Sequence, residues 1–265
     1  MSLLVARRGL LAAGVAAEAP APSGNYADEV AADNPDWWLR LEETSGTAAA
    51  DEVGTNDGAV TGANLGVASF GDTGSAASFD GTDDRIVVPH DALLNAGDLF
   101  TFECLVKIDN PTANSLQTIA DKTGLSSANA QWGLWWDNRS SQGSPLRLRF
   151  NCGDGPSVNG SKPSIVADYQ GTAARDAIGA GIHIVGTYDR TASVSVRLYV
   201  NGSEVAVSDS SSSNTVNGSN TRDVDIARGA GQFYLGGILD ELAIYSKLLS
   251  TARISAHASA AGLGS

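Results

Sequence analysis

From Trp37 to Tyr245, apolar and polar residues exchange places at every second position, in short runs separated by Gly, Pro, Asn and Asp. A period of two sends successive side chains to opposite faces of an extended strand, and the breakers mark the turns. PLRLRFNC is the clearest case: Leu146, Leu148 and Phe150 oppose Arg147, Arg149 and Asn151, as on a strand with one face on a core and the other in water. FTFECLVKI places Phe102, Cys104 and Val106 on one side, while GIHIVGTYD, SEVAVS, DVDIAR, QFYLGG and ILDELAIY extend the series to roughly fourteen predicted strands. In RLYVNGSEVAV, Asn201-Gly202 lies between two alternating runs and supplies the positive φ angles that a two-residue hairpin turn requires. Helical spacing is confined to NYADEVAADNP, stopped by Asn34-Pro35, and to STARISAHASA, with Ser250 as N-cap.

So many short strands and so few helices predict an all-β chain: two antiparallel sheets stacked as a jelly-roll sandwich, with a short C-terminal helix. Within QWGLWWDNR, alternation gives Trp132, Leu134 and Trp136 to one face and Gln131, Gly133, Trp135 and Asp137 to the other. The first set is expected in the core. Trp135 is then the indole offered outward.

Length and charge narrow the picture. A chain of 265 residues suits one large β domain. Its division is expected as a docking arm over 1–25, a connecting segment over 26–36 and the jelly-roll body over 37–265. With 30 acidic against 17 basic residues, a formal charge of −13 argues against nucleic acid and against insertion into anionic membranes, both of which call for clustered cations. Cys104 and Cys152 fall on apolar strand faces and are expected as buried thiols. The opening MSLLVARRGLLAAG has two readings. It imitates an export signal, with Arg7 and Arg8 before a short apolar run, or it forms an arm whose Leu3, Leu4, Val5, Arg7, Arg8, Leu10 and Leu11 order on contact with a neighbouring protein. The second is the leading expectation.

WWLRLEETSGTAAADEVGTNDGAV, SFDGTDDRIVVP, FTFECLVKI, HIVGTYDR, VRLYVNGSEVA and FYLGGILDELAIYSKLLSTARISAHASA follow the order seen in laminin-G-like domains of the concanavalin A-like lectin/glucanase superfamily, which this chain resembles over about residues 26–262. The lead-in NYADEVAADNPDWWLRL resembles that of bacteriophage versions of the domain. Together these imply a non-enzymatic virion protein, in the tail or decorating the capsid, at the virion surface. Its expected partners are other virion proteins held by the arm, further copies of itself and a host surface glycan. A secreted, extracellular carbohydrate-binding module is the alternative, and a polysaccharide hydrolase a third reading.

The candidate chemistry is sparse. No glutamate begins the Glu-x-Asp-x-x-Glu strand that the superfamily's retaining glycosidases resemble, and HExxH, GxSxG and phosphate-loop motifs are absent, so no catalytic residue is assigned. For sugar, Trp135 with Asp137, Asn138 and Arg139 offers an aromatic face ringed by polar groups. The resemblance implies a structural calcium held by an aspartate of the last strand, here Asp240, with Asp51 and Asp80 in loops where further ligands would be sought. Alternation puts Asp240 on one face with Ile238 and Leu242, where its carboxylate needs a cation or hydrogen bonds.

Overall fold

The computed structural model describes residues 24–122, 131–142, 146–152, 165–192, 196–205, 221–229 and 232–264. The expected docking residues Leu3 to Leu11 lie outside these.

Two antiparallel sheets of eight strands face each other. Sheet 1 runs in space as β14 (Ser203–Glu204), β13 (Val196–Val200), β12 (Ile182–Asp189), β7 (Leu99–Ile108), β16 (Gly236–Tyr245), β5 (Ser75–Asp80) and β4 (Asn64–Ala68), and β1 (Trp37–Leu39) also pairs with β16. Sheet 2 runs β11 (Ile165–Gln170), β10 (Arg147–Cys152), β9 (Trp132–Asp137), β8 (Leu116–Asp121), β15 (Val224–Ile226), β6 (Arg85–Val88), β3 (Gly58–Thr61) and β2 (Ala48–Ala49). The all-β sandwich read from the sequence is the fold observed.

Period-two alternation fills the space between the sheets. Phe100, Phe102, Cys104 and Val106 of β7 and Ile182 and Ile184 of β12 meet Trp132, Leu134 and Trp136 of β9 and Leu148 and Phe150 of β10 in one core. Phe102 stacks on Trp132 with ring centroids 4.9 Å apart. Gly186 interrupts the inward row of β12 because the Phe150 ring takes its place: a Cβ there would lie 2.6 Å from the ring. Cys104 and Cys152 are buried free thiols, as expected. Asn201 and Gly202 carry φ of 51° and 82°, so the expected two-residue turn joins β13 to β14.

Three helices close the remaining surfaces. α1 (Tyr26–Ala32) and α3 (Thr251–Ala260) lie together on the outer face of sheet 1, where Tyr26, Val30 and Ile254 pack with Leu105, Val185 and Tyr245. Residues 26–36, expected as a connector, are thus built into the body. α2 (Thr172–Ala180) packs beside β7 and β11 and puts Ala174 and Ile178 into the core. The sequence reading has no helix there. α2 lacks a side-chain N-cap and lies between Gly171 and Gly181, so its only signal is the i, i+4 spacing of those two residues. QFYLGG is corrected as well: Phe233 adopts φ of 75° and residues 233–235 form a loop, with β16 starting at Gly236.

Candidate functional site

Alternation on β9 brings part of the expected sugar site together. Trp135 and Asp137 face outward from sheet 2, cross-strand from Arg149 and Arg147 of β10, and Arg149 in turn opposes Asp168 of β11. The result is a ladder of charge. Arg139 donates to both oxygens of Asp137 at 2.9 and 3.0 Å, and Arg149 to both of Asp168 at 2.8 and 3.1 Å. Arg147 bridges the two aspartates at 3.4 and 3.8 Å. Burial works against the Asp137 charge, but the two arginines outweigh it and hold its carboxyl below the usual range. Asn138 turns away, donating its amide to the Ala113 carbonyl at 3.0 Å.

The exposed indole expected at Trp135 is not observed. Its ring lies flat over Gly133, where a Cβ would meet it at 2.3 Å, and packs with Leu116 and Phe233, leaving it 4% exposed. Gly133 lets the indole fold down onto its own strand. Trp135 therefore supports Phe233 instead of presenting a stacking face.

The opening lies one step further along the sheet. Leu116, cross-strand from Asp137, begins a cleft of about 620 Å³ at the rim between the sheets, lined by Phe79, Phe233 and Tyr234, by Asp80 and Asp109, and by Asn110, Gln117 and Gln232. Gln117 ties its walls, accepting from the Gly236 amide at 3.0 Å and donating to the Asn110 carbonyl at 3.4 Å. Phe233, in the left-handed region that a bulky side chain seldom occupies, is held there by the Thr118 amide donating to its carbonyl at 3.0 Å. Sequence reasoning missed this site because its walls come from the ends of β5, β7, β8 and the 232–236 loop, far apart along the chain. Of the residues singled out beforehand, only Asp80 lines it.

Asp240 lies on the other sheet, and not on the face expected. A bulge between Asp240 and Ala243, with Glu241 at φ of 53°, inserts one residue opposite β7. That one-residue slip reverses the alternation, so Leu239 and Leu242 both point into the core while Asp240 faces out, level with Leu105. Asp240 is fully buried, and neither oxygen meets a donor in hydrogen-bonding geometry. Burial raises its pKa to about 9, and the nearby Ser69 hydroxyl offsets little of that. Next to it, Glu241 accepts from the Trp38 indole at 2.6 Å and from Arg40 at 3.1 Å. Burial still lifts Glu241 to about 8, against the pull of Arg40. Ligand oxygens of Glu42, Asp72 and Glu241 lie within 4.8 Å of one another. Convergent carboxylates beside a buried, unpartnered one fit a hard divalent cation. Asp51 serves another purpose, capping a turn by accepting from the amides of Trp38, Val53 and Asn56.

A second buried charge cluster was invisible in the sequence. His183 and His257, 74 residues apart by number, come to 6.4 Å between ring centroids. Both bond to one oxygen of Glu103, at 3.2 and 3.0 Å, and Tyr245 donates its hydroxyl to the other. His257 reaches Asp33 at 2.9 Å, and Arg253 joins Asp33 to Glu29 at 2.7 and 2.6 Å. Burial alone would discharge His257, yet Glu103 and Asp33 raise its pKa to about 9. Those histidines in turn hold Glu103 well below the usual carboxylate range despite its burial. This network fastens α1 and α3 to β7 and β12.

Solved structures share the fold, among them the following three. The botulinum neurotoxin serotype D binding domain superposes with a TM-score of 0.60 at 15% identity, covering 85% of this chain and 51% of its own. A botulinum neurotoxin type C structure, whose cell entry depends upon interaction with two ganglioside molecules, gives 0.60 at 13%, covering 86% and 51%. Trypanosoma rangeli sialidase in complex with sialic acid gives 0.56 at 18%, covering 86% of this chain and 33% of its own. The chain thus spans about half the toxin chains and a third of the sialidase. At such identities the likeness is one of fold. No protein of curated function matches the sequence significantly. The sialidase corrects the expectation of a non-enzymatic protein, because a fold that an enzyme also carries gives no ground for excluding catalysis. Residues 80–255 match the family described as the concanavalin A-like lectin/glucanases superfamily, and with its two antiparallel sheets the chain belongs to that laminin-G-like family.

Proposed function

We propose that the chain is a virion structural component that displays a glycan-binding laminin-G-like domain, held in the tail or on the capsid through residues 1–25. The observation that carries the glycan reading is the rim cleft, where Phe233 and Tyr234 stand among carboxylates and amides. Sugars present apolar C–H patches beside hydroxyls, and a cleft of aromatics with hydrogen-bonding neighbours matches both. A glycan-binding and a sialic-acid-bound protein on the same fold support the reading without identifying the sugar. The virion placement rests on the apolar and basic run from Leu3 to Leu11 and on the phage-like lead-in.

Glycan-array retention tests the cleft. The wild-type chain retains at least one glycan, and Phe233→Ala with Tyr234→Ala weakens it by about tenfold while circular dichroism shows the β fold retained. A blank array for the folded protein sinks the reading. For the anchor, removal of residues 1–25 leaves a folded body that no longer enters particles; normal incorporation of the truncated chain refutes it.

A structural calcium belongs to the same proposal. Glu42, Asp72 and Glu241 would hold it, with Asp240 beside them, and its charge would relieve the burial of the unpartnered carboxylate. This chain's own part is to bring the segment after β1, strand β16 and the 69–74 loop together around one point.

A further inference from the structure

The charges around the cleft are lopsided. Among its described lining residues are two carboxylates, Asp80 and Asp109, and no lysine, arginine or histidine. Behind Asp80 stand Asp83 and Asp84, with carboxylate oxygens of all three within 4.8 Å of one another. Arg139 approaches Phe233, 5.9 Å from the ring, but its guanidinium is spent on Asp137 through two bonds. The field in the cleft is therefore negative, and an aromatic ring face adds to it.

Resting on the saccharide reading of the cleft, we infer that its ligand is a sugar bearing a free amino group, held by its ammonium against Asp80 and Asp109 and by its ring on Phe233 and Tyr234. Carboxylate-bearing sugars are turned away. An anion entering the cleft would lose water and meet two like charges, whereas an ammonium exchanges water for an ion pair and a π face. Asp109 is free to take that role, since its side chain makes no hydrogen bond among the described residues. Asp80, also on the cleft wall, accepts from the Thr82 amide through Oδ1 at 2.8 Å, and its second oxygen makes no hydrogen bond among the described residues.

The test is calorimetry on the full chain with three probes: a glucosamine hexamer, its N-acetylated counterpart and sialyllactose. The free-amino hexamer binds about tenfold more tightly than the N-acetylated one at low salt, and sialyllactose does not bind. That preference disappears in 1 M salt, which shortens the Debye length to about 3 Å, and in Asp80→Asn with Asp109→Asn. The first substitution keeps the acceptor for Thr82 and the second disturbs no bond, so an unchanged melting temperature accompanies the loss. Equal affinity for the two hexamers, a preference indifferent to salt and to the variants, or binding of sialyllactose overturns the charge selection while leaving the saccharide cleft standing. If none of the three sugars binds, the amino-sugar inference falls, whether or not a lysine-bearing peptide takes their place, and the saccharide cleft stands or falls on the glycan array.

Discussion

The two outer faces of the sandwich carry the same chemistry to opposite ends. On sheet 1, Glu103 and Asp33 are clamped by His257, His183 and Arg253 beneath two helices, and Glu103, His183 and His257 are fully buried. On sheet 2, Asp137 and Asp168 are likewise clamped by arginines, but those arginines keep some exposure and the ladder borders an open cleft. Charges taken wholly out of water make a joint that tolerates no missing partner. Buried carboxylates whose arginines keep touch with water make a scaffold that loses less when one partner is removed, and can stand beside a binding surface without committing it.

Removing one partner from each face should separate them most sharply. Glu103→Ala strands His257, His183 and the Tyr245 hydroxyl, and is expected to lower stability by about 3–5 kcal/mol in denaturant unfolding, or to prevent folding. Asp168→Ala on the other face strands arginines that still reach water, and should cost less, about 1–3 kcal/mol. Comparable losses would erase the distinction.

Calcium gives a second contrast within sheet 1. At a concentration about a hundred times its dissociation constant, it is expected to add about 2.7 kcal/mol to unfolding of the full chain. Asp72→Ala with Glu42→Ala should abolish that gain while leaving the Glu103 joint intact. A response that survives both substitutions places the cation elsewhere.

The pH profile sharpens the comparison through its sign. His257 carries a folded pKa of about 9 against an ordinary 6.5, so its stabilising contribution is whole below about 6.5 and lost as pH rises through 9. Glu103 and Asp33 are held low, so theirs is whole above the ordinary carboxylate range and lost as pH falls beneath it. The alkaline limb should amount to roughly 3 kcal/mol and vanish in His257→Asn. Sheet 2's ladder has no histidine, and Arg149→Ala should leave that limb unchanged.

Much of this architecture was legible because it depends on local alternation. Leu148 and Phe150, or Phe102 and Cys104, need only the strand period to declare their face. Asp240 was misread for the same reason, since a single bulge reverses parity and nothing in ILDELAIY announces it. The Glu103 joint and the cleft depend on strands distant in sequence becoming neighbours, and a lone histidine such as His183 carries no trace of a partner 80 positions away. Trp135 shows a third limit. Its outward direction was correct, but its concealment is decided by Gly133 and by a loop a hundred residues later.

The pairing of β1 with β16 has a mechanical consequence. Tension applied at Gly24 runs through α1 into β1, whose three residues are hydrogen-bonded along a central strand of the sheet and not at its rim. Pulling there loads several backbone bonds at once, in shear, and the α1–α3 joint shares the strain before any strand can peel. A domain tethered by its leading end is thereby gripped through its middle.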